Sequence, residues 1–152
     1  MSFYDDLERG GRGERFILGV IRQKYPNAGL VDGWSYDIFV PEVGKTVEVK
    51  TDFISKSTQN VGFEIEYDGE ASGILKEFDY WAHIFYYYGW KYFILDGPSI
   101  RRLAYTGTEV TGGDGNLSTM LLVPKWRLEK EDYINILPVG KKKEKDSETE
   151  SY

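Results

Sequence analysis

A predicted β-hairpin constrains the fold of this chain more than any other feature of its sequence. Runs of strand-like alternation at Trp34–Val40 and Lys45–Thr51 flank Pro41–Gly44, which has the composition of a turn. If Val40 pairs with Lys45 across this four-residue loop, the numbers of facing residues sum to 85. The hairpin therefore predicts which side chains share a face of the sheet.

Three charged side chains meet on one face of this hairpin. The register sets Asp37 opposite Glu48 and Ser35 opposite Lys50, and alternation keeps Glu48 and Lys50 on one side. Like charges opposed on a sheet destabilise it unless Lys50 neutralises part of the charge or a divalent cation binds between the carboxylates. The alternative is an exposed polar face on which these groups simply meet water. A slip of one residue would separate Asp37 from Glu48.

A helix is predicted from about Glu14 to Tyr25, with an apolar stripe at Ile17, Leu18 and Ile21. Glu14 lies four residues before Leu18 and seven before Ile21, so it falls on the stripe rather than opposite it. A carboxylate there is costly unless it is paired or bound to a metal ion. An acid in the first turn also favours the helix dipole and can stay solvated. Glu14 is thus a candidate third acid for the hairpin site.

The chain has no cysteine and a single histidine, His83. This composition excludes a disulfide framework, zinc sites built from thiolates and thiol nucleophiles. One chain also cannot build an all-histidine metal site. A metal ion would have to be held mainly by oxygen atoms, which favours Mg²⁺, Mn²⁺ or Ca²⁺.

The formal net charge is −6, and the last twelve residues contain four lysines and four acids, so the tail itself sums to zero. The predicted folded part is therefore acidic. Acidity argues against a non-specific nucleic-acid binder, because such proteins are commonly basic.

The length of 152 residues predicts one domain over residues 1–140, followed by a disordered charged tail at 141–152. The N-terminus is charged, and no stretch approaches the roughly 18 apolar residues of a membrane span. We therefore expect no signal peptide, no membrane partner and a cytoplasmic location.

The remaining patterns predict a mixed α/β or α+β layer fold. The predicted elements after the hairpin are a strand at Val61–Tyr67, a long helix at Ala71–Tyr88, a strand at Trp90–Leu95, a glycine-rich loop at Gly107–Asn116 and a short strand at Met120–Val123. The glycine-rich loop lacks the lysine and spacing of a P-loop. A mobile loop beside the active site fits it better than a nucleotide site.

The hairpin and its flanks resemble the PD-(D/E)XK nuclease superfamily. The resemblance rests on Asp37, ten intervening residues and Glu48-Val49-Lys50, preceded by a helix that carries Glu14. The stretch Asn60–Trp81 is similar to a segment of phage and bacterial members. Its matching features are Asn60 before a strand, Glu64 within it, the Ser72-Gly73-Ile74 turn and Asp79-Tyr80-Trp81. The resemblance covers about residues 10–97, and Tyr36 stands where the family's motif has proline.

This resemblance implies a restriction-endonuclease-like fold, with a central mixed β-sheet flanked by helices. It also implies a nuclease that hydrolyses phosphodiester bonds of DNA with Mg²⁺, or Mn²⁺ in its place. Asp37, Glu48 and the Val49 carbonyl would hold the metal, and Lys50 would orient the attacking water and stabilise charge on the phosphate. Glu14 would contribute a water-mediated or supporting contact.

Further candidates for substrate contacts are Asn60, Lys56, Ser72 and Lys76. The alternatives are a turn role for Asn60, a helix cap for Ser72 and solvated lysines. The expected partner is DNA, with homodimerisation as one route to specificity. The competing functions are a catalytically inactive nucleic-acid-binding or structural protein with the same fold, an RNA-directed nuclease and a calcium-binding module.

Overall fold

The structure, a computed structural model, describes residues 3–31, 37–53, 55–85, 91–112 and 114–130. It shows a mixed α+β fold with two β-sheets, which confirms the predicted fold class. The helices are α1 (Phe3–Arg22), α2 (Ser55–Thr58), α3 (Gly97–Ala104) and α4 (Lys125–Lys130), with 3-10 turns at Gly73–Leu75 and Asp114–Asn116. The strands are β1 (Gly29–Leu30), β2 (Ile38–Val40), β3 (Lys45–Asp52), β4 (Asn60–Tyr67), β5 (Glu70–Ala71), β6 (Tyr80–Phe85), β7 (Lys91–Asp96), β8 (Thr108–Gly112) and β9 (Ser118–Pro124).

The first sheet has five strands in the order β1-β2-β3-β6-β7, and the second has four in the order β5-β4-β9-β8. Strands β3 and β6 run parallel, whereas the other neighbours in the first sheet are antiparallel. The second sheet is antiparallel throughout. The first sheet is therefore the mixed sheet that the sequence led us to expect.

The β2–β3 hairpin has the predicted register. Val40 faces Lys45 and Ile38 faces Val47, so facing numbers sum to 85. Gly44 closes the turn with a φ of +64°, a conformation that costs other residues more because of their Cβ. The predicted convergence of acids on one face therefore starts from the correct pairing.

Helix α1 covers one face of the first sheet through Ile17, Leu18 and Ile21, which pack with Val47 and Ile84. The helix begins before the predicted start and continues through Gly10, Gly11 and Gly13. Gly13 is required by packing, because a Cβ at this position would overlap the Thr51 hydroxyl of β3. The absence of a side chain lets the helix lie close to the strand.

The opposite face of the first sheet packs on the second sheet. Trp81 and Phe93 from the first sheet meet Val61, Phe63 and Leu121 from the second in one apolar core. Helices α3 and α4 add Ile100 and Leu128 to it. Side chains 48 and 50 of β3 point toward this side, where the candidate site is found. No helix among the described residues is long and apolar enough to cross a membrane.

The predicted helix at Ala71–Tyr88 is wrong. That stretch holds the end of β5, the Gly73–Leu75 turn and strand β6, while residues 86–90 lie outside the described residues. Each residue from Trp81 to Phe85 is buried, because α1 covers one face of β6 and the second sheet covers the other. A strand buried on both faces is continuously apolar, so helical spacing arises within it by coincidence.

The glycine-rich segment Gly107–Asn116 is only partly a loop, since Thr108–Gly112 forms edge strand β8. The predicted strands at Val61–Tyr67, Trp90–Leu95 and Met120–Val123 correspond to β4, β7 and β9. The predicted tail at 141–152 lies outside the described residues.

Candidate active site at the β2–β3 hairpin

Asp37 takes a fixed position where β2 begins. Its backbone N–H donates to the Val47 carbonyl at 2.9 Å, and its carbonyl accepts from the Val31 N–H at 2.8 Å. Its side-chain Oδ2 accepts from the Val49 N–H at 2.8 Å, so the carboxylate replaces a strand partner for Val49. Within a β-strand the N–H and C=O of one residue point to the same edge. The Val49 carbonyl therefore faces the same edge as the Asp37 carboxylate.

Glu14 approaches Asp37 from α1, closely enough for the two carboxyl groups to shift each other's pKa. Burial raises the pKa of Glu14, and the negative charge of Asp37 raises it further. Burial also raises the pKa of Asp37, although the Val49 N–H and Glu14 offset part of the rise. The interaction with Asp37 raises the pKa of Glu14, whereas the interaction with Glu14 lowers that of Asp37.

Glu48 has the most strongly shifted pKa among the acids of the site. Its half-buried carboxyl has a pKa raised to about 8, first by burial and then by the charge of Asp37. The charge of Glu14 adds to the rise, and the charges of Lys76 and Lys50 oppose it. An acid with such a pKa in a cluster of other acids is a common mark of a functional site.

Two lysines accompany these acids. Lys50 is exposed and lies two residues beyond Glu48 on the same face of β3. Lys76 is half-buried and approaches from the segment before β6. Its positive charge acts on the pKa of both Asp37 and Glu48, and on Glu48 it outweighs the charge of Lys50. The structure thus brings together five predicted residues: Glu14, Asp37, Glu48, Lys50 and Lys76.

The other predicted substrate contacts have different surroundings. The Asn60 amide donates to the Thr58 carbonyl at 3.3 Å, which is the local contact expected of a turn residue rather than of a substrate ligand. Ser72 precedes the Gly73–Leu75 turn, but its hydroxyl makes no cap and donates to Glu64 Oε1 at 2.7 Å. Lys56 is exposed on the short helix α2.

A buried polar chain beyond Lys50 was not predicted from the sequence. His83, 1% exposed, accepts from Trp81 Nε1 through Nδ1 at 3.1 Å, so its Nε2 carries the proton and donates to Asp52 Oδ2 at 3.0 Å. Burial lowers the pKa of His83, and the hydrogen bond to Asp52 and the charge of Asp52 oppose part of that shift. Asp52 Oδ1 also accepts from the Ser55 N–H at 3.0 Å. This chain fixes the end of β3 to the start of α2.

Asp52 continues the alternation of Glu48 and Lys50 along β3. This alternation could have predicted that Asp52 shares the face of Glu48 and Lys50, but the predicted strand Lys45–Thr51 ends one residue before Asp52. His83 had been placed on the predicted helix rather than on β6.

The hairpin presents oxygen donors of the kind that hard divalent cations prefer. Two half-buried carboxylates and a backbone carbonyl supply oxygen donors, and the charge of Asp37 raises the cost of ionising Glu48. In the described part of the chain, no three acidic or histidine side chains form a cation site by themselves. Water and substrate oxygens would therefore have to complete the coordination of an ion at Asp37, Glu48 and Val49, as magnesium sites commonly require.

No protein-family model, curated protein or solved structure matches this chain. The hairpin acids and the two lysines beside them are therefore the features that bear on function.

Proposed function

We propose that this protein is a metal-dependent nuclease that hydrolyses phosphodiester bonds of DNA, with Mg²⁺ as the cofactor and Mn²⁺ as a substitute. The observation that supports the proposal is a pair of half-buried acids, Asp37 and Glu48: burial raises the pKa of both, and the charge of Asp37 raises that of Glu48 further. Ionising both acids is costly, and a bound cation offsets that cost. The proposed family membership rests on the same residues.

The bound cation would act as a Lewis acid and make a bound water more acidic. Asp37 keeps its orientation because the Val49 N–H holds one of its oxygens. Glu14 lies beside the Asp37 carboxyl on the helix side, where it would support that carboxyl or a water bound to the cation. Lys50 places a positive charge on the face of Glu48, where it orients the attacking water and stabilises charge that develops on the phosphate.

The acidic charge of the protein sets a condition on this function. With a net charge of −6, the metal-free chain repels a phosphate backbone. DNA binding should therefore depend on the divalent cation and weaken as salt concentration rises. The proposal includes a cytoplasmic location and allows a homodimer, which sedimentation of the purified protein would detect.

A cleavage assay with matched variants tests the proposal. Single-stranded, duplex and branched DNA, and RNA of the same sequences, are incubated with the full chain in Mg²⁺, Mn²⁺ or EDTA. Asp37→Asn and Lys50→Ala should abolish the metal-dependent cleavage. Lys45→Ala should retain it, because Lys45 is an exposed lysine on the same strand but on the opposite face.

Three outcomes would overturn the proposal or part of it. Equal cleavage by wild type, Asp37→Asn and Lys50→Ala would show that Asp37 and Lys50 are not catalytic residues. A folded protein that binds Mn²⁺ and cleaves nothing would be a catalytically inactive binding protein. Cleavage of RNA alone would replace DNA as the substrate.

A further inference from the structure

The segment Ser72–Asp79 runs from the second sheet to the first and is attached at both ends. At its start, the Ser72 hydroxyl donates to Glu64 Oε1, and the Ser118 hydroxyl donates to Glu64 Oε2, each at 2.7 Å. Gly73 has a φ of +55°, and a Cβ there would overlap the Glu64 carbonyl. The start of the segment is therefore fixed to β4.

The end of the segment is fixed to the strand that carries Glu48. The Asp79 N–H donates to Thr46 Oγ1 at 2.9 Å, and the Thr46 N–H donates to Asp79 Oδ2 at 2.8 Å. Thr46 lies two residues before Glu48 on the same face of β3. These paired hydrogen bonds hold the end of the segment beside the strand that carries Glu48.

Arg101 of α3 holds the middle of the segment. Its Nε donates to the Ile74 carbonyl at 2.6 Å, and its Nη2 donates to the Lys76 carbonyl at 2.8 Å. The guanidinium also lies over the Phe78 ring, 4.6 Å from the ring centre. One planar group thus binds two carbonyls and an aromatic face, which a lysine cannot reproduce.

These contacts fix the backbone of Lys76, a half-buried residue three positions before the Asp79–Thr46 contact with the strand that carries Glu48. Lys76 N–H donates to the Gly73 carbonyl at 3.1 Å, and its carbonyl accepts from Arg101. A lysine on a fixed backbone loses fewer conformations when its ammonium binds a phosphate oxygen. The electrostatic influence of Lys76 on Asp37 and Glu48 agrees with this placement.

We propose that Lys76 is a second catalytic lysine of the site, which binds a non-bridging oxygen of the scissile phosphate, and that Arg101 is the positioning residue that holds it there. The inference rests on the proposed nuclease function. It assigns the two lysines different roles, with Lys50 at the attacking water and Lys76 at the phosphate.

Chemical replacement of the side chain tests Lys76. Because the chain has no cysteine, Lys76→Cys introduces a single thiol, which 2-bromoethylamine converts into a lysine-like amine. Lys76→Cys should cleave about 100-fold more slowly than wild type. Complete aminoethylation, checked by mass spectrometry, should restore at least about tenfold. Lys45→Cys, treated in the same way, should stay near the wild-type rate. A wild-type rate for Lys76→Cys, or no recovery after modification, would overturn the role.

Mn²⁺ affinity without DNA separates this inference from the proposed function. Removing a positive charge beside the acids should tighten Mn²⁺ binding by Lys76→Met about five- to tenfold, whereas Lys45→Met should bind as wild type does. If wild type cleaves nothing while Lys76→Met binds Mn²⁺ more tightly, the nuclease function fails and the placement of Lys76 stands. If wild type cleaves while Lys76→Met changes neither affinity nor rate, the inference fails.

A double-mutant cycle tests Arg101. Arg101→Lys should lower kcat about tenfold in the wild-type background and have little further effect in the Lys76→Met background. Arg102→Lys is the control, because Arg102 is exposed and donates to Ser99 Oγ at 3.2 Å rather than to the segment. Independent, multiplicative losses for Arg101→Lys and Lys76→Met would show that Arg101 acts elsewhere and overturn its positioning role.

Discussion

Glu48→Gln should stabilise the metal-free protein at alkaline pH and change little at pH 4. The substitution keeps the shape of the side chain and removes the carboxyl whose pKa the folded structure raises to about 8. Below the ordinary pKa of 4.5, the carboxyl is protonated in both the folded and the unfolded chain and contributes nothing. The difference between variant and wild type therefore has to appear as the pH rises.

The sign follows from proton binding. Between pH 4.5 and about 8, the unfolded chain has lost the Glu48 proton while the folded protein retains it. The free energy of unfolding of wild type then falls with pH, and above pH 8 the loss stays constant. The full difference in pKa corresponds to roughly 5 kcal/mol. Because the carboxyl is partly exposed, solvent screening reduces our expectation to about 2 kcal/mol.

Urea unfolding in EDTA at pH 4, 6 and 8.5 measures this effect. The advantage of Glu48→Gln should grow from near zero to about 2 kcal/mol, or about 4–8 °C in melting temperature for a chain of this size. Glu66→Gln is the matched control, because Glu66 is an exposed acid on β4. An advantage that is absent at pH 8.5, or equal at all three pH values, would refute the assignment of a costly ionised Glu48.

Three further perturbations test separate parts of the structure. Gly13→Ala should lower the free energy of unfolding by about 1–3 kcal/mol, because the new methyl group would overlap β3. Gly19→Ala places its methyl group in open space and should raise the free energy of unfolding by up to about 1 kcal/mol. Equal effects of the two variants in urea unfolding would contradict the close approach of α1 to β3. Asp52→Ala should lower the free energy of unfolding by about 1–3 kcal/mol, because it leaves the buried His83 N–H without its acceptor. An unchanged free energy of unfolding would show that the Asp52–His83 hydrogen bond does not stabilise the fold. Saturating Mg²⁺ at 100 times its Kd should add about 2.7 kcal/mol to wild type and much less to Asp37→Asn, as thermal unfolding would show.

The hairpin acids could be predicted from sequence because their placement depends on local rules. A four-residue turn fixes the register, and alternation then places Asp37, Glu48 and Lys50. Glu14 followed from its position on the apolar stripe of α1. Each of these inferences needs only the spacing of residues within one element or between adjacent strands.

The role of Lys76 and the Asp52–His83 pair depend on contacts between distant parts of the chain. Arg101 lies 25 residues from the Lys76 carbonyl it binds, and Asp52 lies 31 residues from His83. The parallel pairing of β3 with β6 brings His83 near Asp52. The pairing could not be predicted once Ala71–Tyr88 was assigned to a helix, because that helix replaces β6, the strand that pairs with β3.

The hydrogen bond between the Val49 N–H and Asp37 supplies a built-in spectroscopic reporter. One oxygen of Asp37 is already committed to that amide, so under the proposed function the other oxygen would hold the cation. Drawing electron density toward a cation weakens the carboxylate as an acceptor, so the Val49 amide resonance should move upfield as the site fills. Titration of a single backbone signal would then record occupancy with no label on the substrate and no need for turnover.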